Sequence, residues 1–444
     1  MPWILRSRTF TLLFAAQVIA LIGSGLLTVA LALLAYGLAG EAAGAVLGTA
    51  LFIKMVAYVG AAPLIGALVA RVDRKILLIS ADICRATVAL ALPFIDAVWQ
   101  IYALIFLLQL ASATFTPAFQ ALIPDVLPDE ARYTRALSLS RIAYELETLV
   151  SPALAGLLLL VMSFYNLFGF TVLGFLLSAV LVARASLPGP AGQDVTRPFR
   201  ERLTVGIRIY LATPRLRGLL ALCLAAAAVA AFVIVNTVLM VQAQGDASET
   251  ALAVALGAFG AGSMIAALSL PKLLERLSDR EVMLAASGLL SCVAVPAGLW
   301  LSLAGELIWP VLLGLWALMG LGFSAVLTPS GRLLRRSAHA QDRPALFTAQ
   351  FALSHACYLL TYPLAGWGGA VLGLGPILLI LGAIALTATL GAALLWRDEA
   401  DELMHAHPDL PANHPHLVGQ PASGGVHRHA IVIDDLHPGW PRRG

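Results

Sequence analysis

Charge is scarce in this sequence. Asp, Glu, Lys and Arg make up only 12% of its 444 residues, whereas an ordinary soluble domain carries roughly 25% charged residues. Apolar residues make up 60% of the chain, and apolar runs recur that reach the ~20 residues a helix needs to cross a bilayer. The composition therefore excludes an ordinary soluble domain and predicts an all-α integral membrane protein that sits in a lipid bilayer.

Cysteine is also rare, and the few cysteines stand alone. Cys84, Cys223, Cys292 and Cys357 fall singly inside predicted helices, so no disulfide framework is expected. The sequence lacks a nucleophile elbow, a P-loop, an HExxH motif and a dinucleotide fingerprint. We therefore expect no enzymatic activity and no permanently bound cofactor. We also expect no nucleic-acid partner.

The first apolar run follows a basic front, MPWILRSR. A cleaved signal peptide has a shorter apolar core and a small-residue cleavage site, so this run is interpreted as the first membrane span. Eleven further runs follow, which gives twelve predicted spans. They lie at 10–36, 43–70, 76–96, 99–121, 138–162, 164–184, 216–243, 250–271, 282–303, 307–330, 346–368 and 370–396.

The basic residues predict the orientation of these spans. Lys54, Arg85 and Arg141 fall inside spans, and the other Lys and Arg residues lie at the termini or in loops after even-numbered spans. Because cytoplasmic loops carry the excess of Lys and Arg, both termini are predicted to be cytoplasmic. The expected location is the cytoplasmic (inner) membrane of a bacterium.

A polar stretch from Ser186 to Arg215 interrupts the membrane region. It divides the chain into an N-terminal six-helix bundle at 1–186, a cytoplasmic linker at 187–215 and a C-terminal six-helix bundle at 216–396. The remaining residues, 397–444, are predicted to form a flexible, histidine-rich cytoplasmic tail.

The two halves share motifs in one register. Asp73-Arg74 corresponds to Asp279-Arg280, Thr116-Pro117 to Thr328-Pro329, and SPALAG from Ser151 to YPLAG from Tyr362. Two six-helix pseudo-repeats joined by a central loop resemble the layout of the major facilitator superfamily. The resemblance implies a substrate site between the halves, near the middle of the bilayer.

The stretch GALVARVDRK, from Gly66 to Lys75, resembles the loop signature G-x-L-a-D-R-x-G-R-R/K of that superfamily. The matching residues are Gly66, Leu68, Arg71, Arg74 and Lys75. Ala70 replaces the family's aspartate, which helps latch the outward-facing state by pairing across the halves, and Asp73 replaces its glycine. Either the latch is built differently here, or Asp73 substitutes. Asp82 and Arg85, three apart on one helical face, also fit the family pattern, and a role in structural gating is expected.

The stretch SPALAG in predicted span 5 resembles the antiporter signature of exporting branches, G-P-x-x-G-G. Pro152 and Gly156 match, whereas Ser151 and Ala155 replace glycines. Small residues around a proline let helices approach and bend. The motif therefore favours export, with a simple proline kink packed by small residues as the alternative.

Lys54, Arg141, Glu145 and Glu147 lie inside predicted spans, and each needs a partner or a function because a charge inside a bilayer is costly. Arg141 and Glu145 are four apart on one face of span 5 and are expected to neutralise each other. Glu147 points about 200° away from Glu145, so it is the preferred proton-coupling carboxylate. The alternative is a static salt bridge between Glu147 and Lys54.

Predicted span 11 carries a histidine, His355, within SHACYLLTYPLAGW. An imidazole near a carboxylate and a thiol would suit a borderline divalent ion such as Ni²⁺, Co²⁺ or Zn²⁺. The alternative is a hydrogen-bonded core histidine. The candidates to line a substrate cavity are His355, Cys357, Tyr358, Asn236, Gln109 and Gln350.

Seven of the nine histidines lie in the tail, within HAHPDLPANHPHLVGQPASGGVHRHAIVIDDLHP. Its Pro and Gly residues argue against a regular helix or a packed domain. A flexible site of modest affinity for a metal ion is predicted, and a merely soluble tail is the alternative. The candidate ligands are His405, His407, His414, His416, His427, His429, His437, Asp434 and Asp435.

Three stretches resemble an exporter branch that includes enterobactin-type and macrolide exporters: FIKMVAYVGAAPLIG, FTPAFQALIPDVLPDEARYTRALSLSR and SHACYLLTYPLAGW. Members of that branch with a histidine-rich tail resemble nickel and cobalt resistance permeases. The resemblance implies a monomeric transporter that exports Ni²⁺, and also Co²⁺, by alternating access driven by the proton gradient. One alternative is an exporter of a siderophore, antibiotic or lysolipid with an incidental tail. Another is a membrane anchor that buffers or senses metal without transporting it.

Overall fold

The computed structural model describes most of the chain. The described residues are 7–39, 43–69, 72–187, 199–243, 249–396, 403–406, 426–429, 431–434, 436–437 and 439–440.

The N-terminal half consists of seven α-helices and two short helical turns. They are α1 (Arg8–Ala39), α2 (Ala43–Val56), a π-helical turn (Ala57–Ala61), α3 (Ala62–Val69), α4 (Arg74–Ala91), a 3₁₀ turn (Leu92–Phe94), α5 (Val98–Val126), α6 (Glu130–Leu159) and α7 (Tyr165–Arg184). The π turn joins α2 to α3 without a break, so the two form one continuous helical segment.

The linker ends in α8 (Phe199–Ala212), and the C-terminal half follows directly. Its helices are α9 (Pro214–Ala243), α10 (Glu249–Leu273), α11 (Asp279–Ala304), α12 (Trp309–Leu327), α13 (Ser330–Ser337), α14 (Arg343–Leu372) and α15 (Leu374–Leu395). Two short strands, β1 (Leu403–Ala406) and β2 (Val426–His429), lie in the tail.

Polar side chains set where several helices begin. Asp73 accepts hydrogen bonds from the backbone N–H groups of Lys75 and Ile76, which caps α4. Ser278 and Glu281 form a reciprocal capping box at the start of α11. Such caps satisfy N–H groups that have no partner within the helix, so the loop chemistry of the sequence fixes these boundaries.

Nine of the helices in the described part of the chain are long and apolar enough to cross a membrane. The three other predicted spans, 43–70, 138–162 and 346–368, coincide with α2–α3, α6 and α14. The helical architecture thus agrees with the sequence, while the count of twelve crossings stays a prediction.

Within the C-terminal half, α10 and α12 approach so closely that their backbones touch. A Cβ atom at Gly262 would lie 1.8 Å from the carbonyl oxygen of Ala317, and one at Gly320 would lie 1.8 Å from that of Phe259. Glycine is the residue that permits this spacing, as in other membrane helix pairs. The small-residue stripe therefore fixes how these two helices pack.

One end of the bundle collects the charged loops, and we call it the charged end. There α4, α6, α11 and α14 begin. The hydroxyl of Thr9 donates to the carbonyl oxygen of Ser186, and Arg280 donates to that of Trp396. The first and last helices therefore start and finish at this same end. That it faces the cytoplasm stays a prediction.

The described parts of the tail include two short strands and a buried stretch, while the flexibility of the tail as a whole stays a prediction. The strands β1 and β2 pair antiparallel, with His405 opposite His427. Farther along, Ile431 and Ile433 are buried, and Ile433 joins the apolar core of the C-terminal half. The prolines and glycines of the tail favour irregular structure, whereas Ile431 and Ile433 supply apolar side chains that can be buried against the bundle.

Candidate functional site

A cavity of about 700 Å³ lies between the two halves. The N-terminal half lines it from α1, α2, the π turn, α4, α5 and α6. The C-terminal half contributes residues of α9, α12, α13 and α14. The size falls within the roughly 300–1,000 Å³ of sites that hold drug-sized molecules, so this cavity is the candidate substrate site.

Most of the polar residues singled out from the sequence line this cavity. They are Lys54, Arg85, Gln109, Arg141, Glu147, Gln350, His355 and Tyr358. Their clustering follows from the cost of polar groups in lipid, which drives such side chains toward the interior of a bundle.

Aromatic rings surround His355 within the cavity. Its ring centroid lies 4.7 Å from that of Tyr58 and 4.3 Å from that of Phe351. The Nδ1 atom of His355 lies 2.7 Å from the carbonyl oxygen of Phe351. Since a carbonyl oxygen only accepts, Nδ1 carries the proton, and a neutral ring then presents Nε2 as an acceptor.

Lys54 contacts one of the aromatic rings that surround His355. Its Nζ atom lies 5.6 Å from the centre of the Tyr58 ring, a distance at which a cation is attracted to the ring face. Tyr58 thus links Lys54 on α2 with His355 on α14, which belongs to the other half.

Glu147 lines the cavity from α6, and Lys54 and Arg85 are the cations that act on it electrostatically. Of the ion pairs within 4 Å between described side chains, none joins Glu147 to Lys54. The geometry thus differs from the static salt bridge considered above. Glu145 lies on the same helix, but its side chain falls outside the description, so its pairing with Arg141 stays a prediction.

Arg141 reaches from the N-terminal half to the C-terminal half. Its guanidinium lies 3.4 Å from the hydroxyl oxygen of Ser263 on α10 and 4.7 Å from the centre of the Phe323 ring on α12. It therefore contributes to the contact between halves at the edge of the cavity.

Two of the proposed cavity residues lie elsewhere. The side chain of Asn236 is fully buried and donates to the carbonyl oxygen of Ala365, so it joins α9 to α14. Cys357 is buried in the apolar core of the C-terminal half and donates to the carbonyl oxygen of Leu353. Both face a helix contact rather than the cavity that the structure describes. Cys223 lines the cavity instead.

Gln350 sits where the cavity meets the core. Its Oε1 atom accepts a 2.5 Å hydrogen bond from the hydroxyl of Tyr210 on α8, and its Nε2 atom lies 3.5 Å from the sulfur of Cys223. These contacts fix the orientation of the amide.

Asp82 and Arg85 form an ion pair with each other inside the N-terminal half. The hydroxyl of Ser178 donates a 2.7 Å hydrogen bond to Asp82. The Arg85 guanidinium lies 4.3 Å from the centre of Phe115 and 4.6 Å from that of Phe175. The pair therefore ties α4 to α5 and α7.

A candidate latch between the halves includes one residue of the loop signature, Arg74, together with residues that the signature did not indicate. Asp73 caps α4, and none of the ion pairs between described residues includes it. Asp125, at the end of α5, accepts from Arg74 at 2.6 Å and from Arg343 of the other half at 3.0 Å. Asp125 thus makes an ionic contact between the halves; that this contact does the work of the family's aspartate stays a prediction.

A second ionic contact joins the halves nearby. Arg332 lies 2.8 Å from Glu130 of the N-terminal half and 2.9 Å from Asp279 of its own half. Arg336 also pairs with Asp279. Of the ion pairs between described residues, the two that join the halves both lie at the charged end.

The other residues of the antiporter-like stretch and of the loop signature lie at helix contacts or within helices, except for one that is not described. Ser151 is buried on α6 where a Cβ at Gly25 of α1 would lie 2.2 Å from it, so the two helices pack closely there. Pro152 and Gly156 lie within α6, and Gly66 lies within α3. Lys75 donates to the carbonyl oxygen of Ala185. Arg71 lies outside the described residues.

The tail histidines are described only in part. Within the described portion of the chain, no group of three or more His, Cys, Asp or Glu side chains is arranged to hold a metal ion. Asp434 and His437 contact each other, and for His405, His427 and His429 only the backbone is described. The candidate ligands outside the described residues are His407, His414, His416 and Asp435.

Sequence reasoning missed several residues of the site. Tyr58 follows Lys54 by one helical turn, and Tyr144 precedes Glu147 by three residues; both line the cavity. Spacings of three and four place side chains on one helix face, so a search along the face of each charged residue would have found them. Asp125 had no such signal.

Comparisons with known proteins agree with this architecture. A family model described as Major Facilitator Superfamily matches residues 13–304 and 219–419. Macrolide efflux protein A of Streptococcus pyogenes is 29% identical over 222 residues, which is 48% of this chain and 53% of that protein. Its namesake in Enterococcus faecalis is 29% identical over 169 residues, 36% of this chain and 51% of that protein. The chain thus spans about half the length of the curated relatives it matches.

Solved structures share the fold at low sequence identity. The human organic anion transporter MFSD10 superposes with a TM-score of 0.72 at 13% identity, covering 87% of this chain and 99% of that chain. A bacterial homologue of the iron transporter ferroportin superposes with a TM-score of 0.70 at 15% identity, covering 87% and 97%. These similarities concern the fold alone.

Proposed function

Because the chain belongs to the major facilitator superfamily, we propose that it is a secondary active exporter of an organic compound, with the cavity between its halves as the transport site. The family and the fold are those of transporters rather than enzymes. Similarity to two macrolide efflux proteins supports the direction and the substrate class.

The lining of the cavity is the observation that carries this proposal. Around 700 Å³ is enclosed by apolar side chains, aromatic rings and a few polar groups. Sites for organic ligands combine an apolar surface with a small number of placed polar groups. In this cavity Tyr58, Phe351 and Tyr358 offer ring faces, and Gln109 and His355 offer hydrogen-bonding groups.

Export requires that the charged end face the cytoplasm and open to load the compound. The contacts of Asp125 with Arg343 and of Glu130 with Arg332 close that end. These ion pairs break for loading and re-form when the compound is released on the other side. One chain is the transporting unit, since its two halves enclose the cavity between them.

Glu147 is proposed as the proton carrier. Glu147 lines the cavity from α6. As the halves rock, protons can therefore reach its carboxylate from one side of the membrane and then from the other. A carboxyl group is neutral when protonated and anionic when not, so a proton taken up on one side changes its interaction with Lys54. Proton entry thereby resets the transporter after release of the compound.

Export of Ni²⁺ or Co²⁺ is the second candidate, and the register of the tail strands favours it. His405 lies directly opposite His427 in the antiparallel pair. Directly opposed residues have Cα atoms about 4.5–5.5 Å apart, a spacing that suits two imidazole ligands on one ion. A tail that captures metal would serve a metal exporter or act as a buffer. The macrolide efflux relatives favour the organic compound.

The test compares accumulation of two probe classes in bacterial cells that express the chain. Erythromycin represents the organic class, and Ni²⁺, Co²⁺ and Zn²⁺ represent the metals. Lower erythromycin accumulation than in empty-vector cells, abolished by a proton uncoupler, supports the proposal. Unchanged erythromycin with lower metal accumulation overturns it in favour of the second candidate.

Variants separate the roles. Glu147→Gln is expected to abolish proton-driven export, while Glu306→Gln, an exposed change of the same kind in the loop before α12, leaves it intact. Replacing the six His-x-His histidines of the tail with alanine is expected to leave erythromycin export unchanged. If Glu147→Gln exports at the normal rate, Glu147 is not the proton carrier.

A further inference from the structure

The end of the tail is docked on the charged end of the C-terminal half. We call Ile431–Asp434, Leu436, His437, Gly439 and Trp440 the docked segment. Ile431 is 3% exposed, and Ile433 is fully buried in the apolar core. Trp440 packs against the same core. Apolar burial of this extent is a specific contact rather than the chance placement of a soluble tail.

Asp434 organises the docked segment internally. One carboxylate oxygen accepts from the backbone N–H groups of Leu436 at 3.0 Å and His437 at 2.7 Å, and it also lies 3.0 Å from Nδ1 of His437. These bonds form a tight turn of the kind aspartate favours. His437 is 6% exposed, so its imidazole is packed as well as bonded.

The second carboxylate oxygen of Asp434 faces the bundle. It lies 3.3 Å from Nε2 of His339, in the connection between α13 and α14. The carbonyl oxygen of His339 accepts from the N–H groups of Asp342 and Arg343, where α14 begins. Asp434 therefore reaches the residue that positions the first turn of α14.

Trp440 contacts the α13–α14 connection indirectly, through Arg215 and the last turn of α13. Its ring lies 5.4 Å from the guanidinium of Arg215. Arg215 donates to the hydroxyl of Ser337 at 2.8 Å and to the carbonyl oxygen of Arg336 at 3.0 Å, at the end of α13. The docked segment thus contacts the α13–α14 connection through His339 and, by way of Arg215, through the last turn of α13.

This connection separates the residues that join the two halves. Arg332 on α13 pairs with Glu130, and Arg343 on α14 pairs with Asp125. Opening of the charged end must move α13 and α14 away from the N-terminal half. A group that holds the connection between them in this position keeps Arg332 and Arg343 placed to pair with Glu130 and Asp125, and it therefore favours the closed state.

We propose that the docked segment is a built-in clamp: by holding the α13–α14 connection through His339 and Arg215, it stabilises the closed state of the charged end. Release of the segment frees the connection and increases the fraction of molecules in which that end is open. The occupant of this surface is the chain's own C-terminal segment, independent of which compound the cavity carries.

Hydrogen exchange of the purified full-length protein tests the clamp. Peptides that cover the docked segment and residues 338–346 are followed in the wild type, Asp434→Asn, His339→Ala and Glu306→Gln, the last as a charge control at the opposite end. A single cysteine at Leu137, in a chain whose four native cysteines are replaced, reports opening by its rate of maleimide labelling. Leu137 lines the cavity close to Gly331 of α13.

Asp434→Asn and His339→Ala are expected to speed exchange in both peptides at least tenfold and to raise labelling of the cysteine several-fold. Glu306→Gln leaves all three readouts unchanged.

Two results would overturn the clamp. Exchange of the docked segment at the unprotected rate in the wild type would show that it is not docked. Faster exchange of the segment alone, with residues 338–346 and the cysteine unchanged, would show that it is docked but restrains nothing. Because no readout uses a transported compound, these outcomes are independent of the export experiment.

Discussion

Replacing Asp125 with asparagine tests the latch at the charged end directly. The carboxylate accepts from Arg74 within its own half at 2.6 Å and from Arg343 across the halves at 3.0 Å. The Asp125 side chain is 11% exposed, and that of Arg343 is 19% exposed, so water screens the contact only weakly. Asparagine keeps the shape of the side chain and removes its charge.

The magnitude follows from the contact that is lost between halves. A hydrogen bond to a charged group contributes about 1.5–3 kcal/mol, and the Arg74 contact remains within one half in both states. A loss of about 2 kcal/mol from the closed state corresponds to a roughly 30-fold shift of the equilibrium toward opening, at 1.4 kcal/mol per tenfold.

The assay is labelling of the cysteine at Leu137 with a membrane-impermeant maleimide applied from the side of the charged end. When the closed state dominates, the labelling rate is proportional to the open fraction. Asp125→Asn is therefore expected to label about 30-fold faster, by the same equilibrium argument. Asp129→Asn is the matched control, because Asp129 is exposed, lies at the same end and caps α6, and asparagine caps as well as aspartate.

A labelling rate for Asp125→Asn within twofold of the control would refute the assignment of Asp125 as the latch. Equal acceleration in both variants would show that any loss of negative charge at this end opens it, which would also contradict the specific contact with Arg343.

Two further predictions concern stability. Gly262→Ala is expected to lower the thermal midpoint of unfolding in scanning fluorimetry, because the new Cβ would meet the carbonyl oxygen of Ala317 at a cost of about 1–3 kcal/mol. Gly288→Ala is the control, since a Cβ there meets nothing within 4 Å. Equal midpoints for the two variants would contradict the close approach of α10 and α12. Asp82→Asn leaves the buried guanidinium of Arg85 without its anion. It is expected to lower the free energy of unfolding, measured with denaturant, by about 3–5 kcal/mol. A decrease well under the low end of that range would show that the pair is not needed for folding.

The sequence identified which residues are costly to place in lipid, but it did not identify which of their side chains face the cavity and which face a neighbouring helix. The rule that intramembrane polar groups are functional selected Lys54, Glu147 and His355, and all three line the cavity. The same rule selected Asn236, which instead bonds to the backbone of a neighbouring helix. The direction of a helix face depends on packing between helices, which apolar residues of similar size barely specify.

Contacts between halves were beyond sequence reasoning for a different reason. Asp125 and Arg343 are 218 positions apart, and each lies at a helix end where charged residues are ordinary. Nothing local marks them as partners. The docked segment had a weak local signal in the short apolar run from Ala430 to Ile433, which is consistent with a buried extended stretch.

The π-helical turn at Ala57–Ala61 has a consequence for how this region tolerates insertion and deletion. An α-helix advances about 100° per residue, and a π turn accommodates one residue more than an α-helical turn. Deleting one residue from the turn would therefore leave an ordinary α-helical turn, and the surface that α3 presents to α8 and α14 would keep its direction. A one-residue deletion outside the turn, between Lys54 and the contacts of α3, would instead rotate α3 by about 100° relative to α2, although the apolar character of the span would be unchanged. The π turn is thus the place in this segment where the loss of one residue leaves α3 aligned with the other half.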